Sequence, residues 1–163
     1  VKYLHEQGCP WDKRTSDAAY ILYQSDGADL EIFEYVITHG CPWDGDVMTA
    51  AANVGSVKLL KYAHEQLHSE IIEDTVKRIL WQGSVECLKY LQDLSYPWKE
   101  ENCLYAVWYG HVDCLKYLHE HGCPWHEMLI EKVTERIQSL PSSHRALKGA
   151  KGCLMYAISN GCP

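Results

Sequence analysis

One stretch constrains the fold of this chain more than any other: Gly110-His111-Val112-Asp113-Cys114-Leu115-Lys116-Tyr117-Leu118-His119-Glu120-His121-Gly122-Cys123-Pro124-Trp125. It recurs, whole or worn, along the sequence. Val1 to Trp11 is its second half, Ala28–Trp43, Gly55–Glu70 and Gly83–Trp98 are looser copies, and Gly149–Pro163 lacks only the last residue. Such repetition dictates architecture, because each unit is one supersecondary element that packs on its neighbours. The proline column falls at Pro10, Pro42, Ser69 (a substitution), Pro97, Pro124 and Pro163, in steps of 32, 27, 28, 27 and 39 residues. The unit is therefore about 27 residues long, with insertions in two copies.

Inside a unit, Val112, Leu115 and Leu118 with Cys114 and Tyr117 form a wide apolar stripe of helical period. Gly122 stops this helix as a left-handed cap, and Pro124 bars its continuation. The preceding stretch, Asn102 to Tyr109, is apolar and long enough for two or three turns. One unit is thus a short helix, a turn, a longer helix and a Gly-Cys-Pro-Trp loop. So small a pair cannot bury its own apolar face and must stack. The aligned columns name the expected core: Ile32, Leu59, Cys87, Cys114 and Cys153; Phe33, Leu60, Leu88, Leu115 and Leu154; Val36, Ala63, Leu91, Leu118 and Ala157. A tyrosine column (Tyr3, Tyr35, Tyr62, Tyr90, Tyr117, Tyr156) runs beside them, its hydroxyls expected at the solvent edge or on a neighbouring backbone.

The Gly-His-Val-Asp-Cys-Leu-Lys-Tyr-Leu-His-Glu-His-Gly segment resembles the second-helix half of an ankyrin repeat. Its Cys-Pro-Trp ending resembles a short variant common in proteins of large DNA viruses of amoebae and of some protists. The Thr-Pro-Leu-His signature is missing, although Thr49-Ala50-Ala51-Ala52 keeps the small-residue helix that normally follows it. The usual unit is about 33 residues, so the shortening falls in the hairpin finger. The resemblance implies an all-α, ankyrin-like solenoid of stacked helix-turn-helix repeats, a single array over residues 1–163. Its units are 1–11 (partial), 12–43, 44–70, 71–98, 99–125 and 126–163. Because the chain starts and stops inside a unit, it reads as an excerpt of a longer protein.

A net charge of −7 disfavours nucleic acid and anionic membranes, which select clustered Lys and Arg. No apolar run reaches the roughly 18 to 20 residues that cross a bilayer, and no secretory signal is visible. The eight cysteines follow the repeat. Cys9, Cys41, Cys123 and Cys162 share the loop column, Cys87, Cys114 and Cys153 share the core column, and Cys103 lies in a first helix. Stacked helices lie about 10 Å apart, whereas a disulfide needs Cα atoms within roughly 7 Å. Free thiols packed as small hydrophobes are expected, in a reducing cytoplasmic setting (the host cell or the virion, for a viral protein).

Several local departures carry expectations of their own. Asp12–Ser16 reads as an insertion before a helical Ala18–Tyr23, with a looser turn at Asp26-Gly27-Ala28-Asp29. Leu67-His68-Ser69-Glu70 lacks both stop signals, so the helix before it is expected to run on toward Glu73. His126–Ile137 reads as a longer amphipathic helix that shields the neighbouring unit or, alternatively, protrudes to contact a partner, followed by a loop at Ser142–His144 and a turn glycine at Gly149.

No motif announces chemistry. His119, His121, Cys123 and His126 lie within eight residues, and two helical residues two apart point about 200° apart. That is unlike the paired ligands of a zinc site. Neither a nucleophile with its base nor a phosphate loop is present, so no enzyme activity, cofactor or metal is expected. Trp11, Trp43, Trp98 and Trp125 follow the loop proline and read as a ladder along one edge. Trp81 and Trp108 close first helices at the place of Asn53, and are expected to pack between helices with partial exposure. The expected function is a protein-interaction scaffold, since stacked units give a constant backbone with variable exposed residues. By the resemblance, the groove is lined by Asp44, Asp46, Glu70, Glu73, Asp74, Lys77, Arg78, Lys99, Glu101, Asn102, Tyr105 and His126. Six of these are acidic and three cationic, which favours a protein partner with a basic or mixed segment and disfavours nucleic acid or membrane. The competing expectation is a structural subunit that self-associates, because open repeat ends invite stacking.

Overall fold

The computed structural model describes residues 2–26, 30–141 and 145–162. These are all-helical, with no strand among the described residues: α1 (Lys2–Glu6), α2 (Lys13–Asp26), α3 (Leu30–Thr38), α4 (Val47–Val54), α5 (Val57–Glu65), α6 (Glu73–Gln82), α7 (Val85–Asp93), α8 (Glu100–Tyr109), α9 (Val112–Glu120), α10 (Leu129–Ser139) and α11 (Arg145–Ser159). The expected turn at 27–29, the loop at 142–144 and the proline at 163 lie outside the described residues. No helix among the described residues is long and apolar enough to cross a membrane. The chain divides into two compact bodies, residues 1–70 and 71–163, at the worn loop where the Cys-Pro-Trp ending is lost.

In the first body α2 packs on α3, α4 on α5, and α3 on α5. The residues read as an insertion are the first turn of α2, which starts at Lys13. Asp46 caps α4, its carboxylate accepting the amide hydrogens of Met48 and Thr49, and satisfies two of the orphan donors that every helix start leaves. Ser56 caps α5 in the same way through Leu59 N at 3.1 Å, and its hydroxyl donates to Glu34 on α3 at 2.5 Å. One small side chain thus both starts a helix and ties it to the previous one.

The second body has two rows. The first helices of successive units pack α6 on α8 and α8 on α10, and the second helices pack α7 on α9 and α9 on α11. Contacts of α8 with α9 and of α10 with α11 join the rows. The core is the columns read from the sequence: Cys87, Leu88, Leu91, Cys114, Leu115, Leu118, Cys153 and Ala157 are all buried. Only Ile32 and Leu154 of the aligned columns are half-buried. The cysteines are free thiols. Burial pushes the Cys114 and Cys153 thiols up to about 12, so both stay neutral and pack as apolar groups. Cys103 and Cys123, from different columns, meet at 3.0 Å between sulfurs, and Cys123 in turn donates to the Lys99 carbonyl at 3.2 Å.

Each second helix ends on a left-handed residue: Gly8, Gly40, His68, Ser95, Gly122 and Gly161. The amide that follows the last five returns to a helix carbonyl. It does so from Cys41 to Val36, Tyr96 to Leu91, Cys123 to Leu118 and Cys162 to Ala157, five residues back each time. Ser69 bonds Ala63, six residues back. The α5 terminus therefore holds one extra residue, and the proline column passes through Glu70 rather than Ser69. The expectation that α5 runs on toward Glu73 is overturned: α5 stops at Glu65, because His68 takes the left-handed position (φ 53°) without help from a glycine.

Gly149 is a second correction. It is no turn glycine but lies inside α11, where an added Cβ would stand 2.0 Å from the Gly110 carbonyl oxygen. Its missing side chain lets α11 lie directly on the α8–α9 turn. The helix expected at 126–137 starts at Leu129, and it buries Leu129 and Val133 against its neighbours as expected of a shielding element.

Helix propensity alone favours Gly149→Ala by about 1 kcal/mol, whereas overpacking costs about 2 kcal/mol. Net destabilisation in denaturant unfolding is expected, and a more stable variant would disprove the close approach. Ser95→Gly should raise stability by about 1 kcal/mol, because a non-glycine residue in the left-handed region bears roughly that cost. An unchanged midpoint would mean that Ser95 is not strained.

Candidate functional site

The first-helix row of the second body carries two stripes per helix. On α6, Val76, Ile79 and Leu80 are buried, and Asp74, Lys77, Arg78 and Trp81 form the opposite stripe at i, i+3, i+4 and i+7. On α8, Cys103, Ala106 and Val107 are buried, and Glu101, Leu104, Tyr105 and Trp108 repeat the same spacing outward. Two adjoining clefts lie between these stripes. One, of about 370 Å³, is lined by Asp74, Lys77, Arg78, Trp81 and Tyr109. The other, of about 250 Å³, is lined by Lys77, Leu104, Tyr105, Trp108 and Tyr109. Lys77 and Tyr109 belong to both, so one ammonium group stands at the shared wall of two aromatic recesses.

Local structure fixes the rings. Gly83 turns the chain at the end of α6 (φ 81°), and His111 lies over it, its Nε2–H donating to the Trp81 carbonyl at 2.9 Å. That carbonyl would otherwise be one of the unpaired groups of a helix end. Trp81 and Trp108 are 56% and 42% exposed, the only exposed tryptophans of the six. The Lys77 Nζ lies 5.3 Å from the Tyr105 ring centroid, and the Arg136 guanidinium of α10 lies 4.7 Å from that of Trp108. Both distances are within cation–π reach. The Arg136 Nε is sealed from solvent and has no hydrogen-bond partner among the described residues.

The residues singled out from the sequence divide into several groups. Lys77, Arg78, Asp74 and Tyr105 converge on the clefts. Glu73 and Lys99, at the starts of α6 and α8, pair at 3.0 Å, and the Glu73 carboxylate holds the lysine above its usual range. Asp74 pairs with Arg78 at 2.6 Å. Glu101 is half-buried on α8, and His126 is half-buried before α10, its Nδ1 accepting Met128 N–H at 3.1 Å. Asp44, Asp46 and Glu70 belong to the first body, where Asp44 pairs with Lys13 and Asp46 caps α4. Asn102 is a correction. It is 1% exposed, its Oδ1 accepts Lys99 N–H at 2.8 Å, and it cannot meet a partner because it closes the start of α8 from inside. The acids of α6 that suggested a basic partner hold cations of their own.

Sequence reasoning missed Leu104, Tyr109 and Arg136 as members of this face, and it gave Trp81 and Trp108 mainly to packing between helices. The i, i+3, i+4, i+7 stripes ending on tryptophan were the usable signal. Arg136 offered none, since its partner ring lies 28 residues earlier in sequence.

The other conspicuous side chains are engaged locally. His5 stacks on Trp11 at 3.7 Å and reaches the Tyr35 hydroxyl at 3.2 Å; His119 stacks on Trp125 at 4.4 Å and reaches the Tyr156 hydroxyl at 3.0 Å. Two members of the tyrosine column, Tyr35 and Tyr156, therefore meet histidines of the preceding repeat, where solvent or backbone was expected. The loop tryptophans pack on nearby His, Phe and Tyr rings rather than on one another, with Trp43 against Phe33 at 5.3 Å and Trp98 against Tyr96 at 5.3 Å. His121 Nδ1 donates to the Tyr117 carbonyl at 2.7 Å, so it and His119 face different partners. No group of three or more potential metal ligands converges among the described residues.

No family model, curated protein or solved structure matches this chain.

Replacing Trp81 and Trp108 together by phenylalanine should remove most of the acrylamide-quenchable fluorescence and shift the remaining emission to shorter wavelength. Equal quenching of the variant and the parent protein would mean that these rings are covered.

Proposed function

We propose that this chain is an ankyrin-type repeat array serving as a protein-interaction module, which holds a segment of a partner protein on the face of α6, α8 and α10. The single observation that supports it most is the pair of exposed tryptophans, Trp81 and Trp108, set in one row with Tyr105 and Tyr109 and bordered by Lys77, Arg78 and Arg136. Trp, Tyr and Arg are the residues that dominate interface energetics, and a single well-covered one is worth about 2 kcal/mol or more. A structural role would bury these rings, as it does the remaining four tryptophans in part. The reading requires neither catalysis nor a cofactor. The helical hairpins, the left-handed glycine column and the recurrent His-Trp-Tyr contacts support the repeat assignment.

Self-assembly is the second reading, favoured by Met155 and Ile158 on α11, which are 71% and 61% exposed. Sedimentation of the protein and of Met155→Glu/Ile158→Glu separates the two. Concentration-dependent association abolished by the double change would favour assembly.

The interaction reading is tested by affinity capture from cell extract, comparing the parent chain with a Trp81→Ala/Trp108→Ala variant of unchanged circular dichroism. Partners captured by the parent and at least tenfold depleted with the variant are expected. Identical capture by both would place any binding surface elsewhere.

A further inference from the structure

We infer that the occupant of the α6–α8–α10 face is a protein segment carrying an acidic side chain flanked by large apolar ones. The carboxylate would meet Lys77, the apolar groups would fill the two aromatic recesses, and Arg136 adds positive charge beside Trp108. This rests on the interaction-module reading and adds the chemistry of the partner.

Charge complementarity selects this occupant. Most acids beside the clefts are already engaged: Asp74 holds Arg78 at 2.6 Å, Glu73 holds Lys99 at 3.0 Å, and Glu135 holds Lys132 at 3.3 Å, which leaves Glu101 as the acid of these stripes without an ion pair among the described residues. Two cations are left over. Among the described residues neither Lys77 nor Arg136 has a carboxylate partner, and each rests instead on a ring, of Tyr105 and of Trp108. An arriving carboxylate gains charge-assisted hydrogen bonds to groups that lose no existing ion pair. A basic segment would find only Glu101 without an ion pair; elsewhere it would have to displace Arg78 or Lys99, and it would bring its charge against Lys77.

Shape gives the flanking residues. Lys77 lines both recesses, and their other walls are Trp81, Tyr109, Leu104, Tyr105 and Trp108. A cation between two apolar hollows is matched by an anion between two apolar side chains. Recesses of about 370 and 250 Å³ each have room for one leucine- or phenylalanine-sized group. Aromatic rings with Lys and Arg could also stack single-stranded nucleic acid. However, Glu73, Asp74, Glu101 and Glu135 stand among the cations and would repel a continuous line of phosphates.

Selection of displayed random twelve-residue peptides on the intact chain tests the inference. Lys77→Glu, Arg136→Gln and Trp81→Ala/Trp108→Ala serve as variants of verified thermal stability. The expected consensus is Asp or Glu flanked by Leu, Ile, Phe or Trp. A synthetic consensus peptide should bind at least tenfold more weakly to Lys77→Glu, and tenfold more weakly when its acid becomes the amide. A consensus dominated by Lys or Arg, or acidic peptides indifferent to Lys77→Glu, would overturn the partner chemistry and leave the interaction module standing. No enrichment over the folded Trp81→Ala/Trp108→Ala variant would overturn both. So would binding of a labelled oligothymidine that the double variant loses.

Discussion

The backbone bond that closes each second helix is the constraint on which the rest depends. An amide just beyond a left-handed residue returns to a carbonyl of the last turn, from Cys41 to Val36, Tyr96 to Leu91 and Cys123 to Leu118. The helix end is thereby satisfied without water. The bond spans the same five residues in these helices, and α3, α5, α7 and α9 are all nine residues long. Equal lengths keep Cys87, Leu88 and Leu91 level with Cys114, Leu115 and Leu118, and only level columns form a continuous buried layer. Where one residue is added, at Ser69, the loop loses its Cys-Pro-Trp ending and the two compact bodies part.

The same regularity creates the exposed face. A first helix of ten residues can turn one stripe inward, and the stripe opposite has no layer to cover it. On α6 and α8 that outer stripe ends on tryptophan at both crossings, with Trp81 and Trp108 in equivalent places. The turn that follows each is held by a different device, His111 over Gly83 in one case and Gly149 against Gly110 in the other. Rigid turns hold large rings in fixed positions, which reduces the entropy lost when something covers them.

Electrostatics separates this face from the chain as a whole. The net charge is −7, yet the acids of α6 pair internally, and the cations with no acid of their own sit on aromatic rings. Exposed pairs such as these contribute little to stability, about 0–1 kcal/mol each. Their larger effect is to decide which charges remain for an incoming group. A sum over the chain cannot tell which groups are already taken.

The sequence by itself determined the helical period, the buried columns, the glycine stops and the shape of α4 around Thr49–Ala52. These follow from apolar spacing and backbone preference within one unit, and the buried columns recur in five units and the glycine stop in four. It also placed Lys77, Arg78 and Tyr105 on one face. Only the tertiary structure decided that His68 ends α5 in place of a glycine, that Gly149 is a point of close approach rather than a turn, and that Asn102 is sealed inside. It alone brought Arg136 onto Trp108 and Glu73 onto Lys99. The physical reason is range. Period and capping act over three to five residues, whereas these contacts join groups about one repeat apart, and their geometry exists only once the rows have stacked.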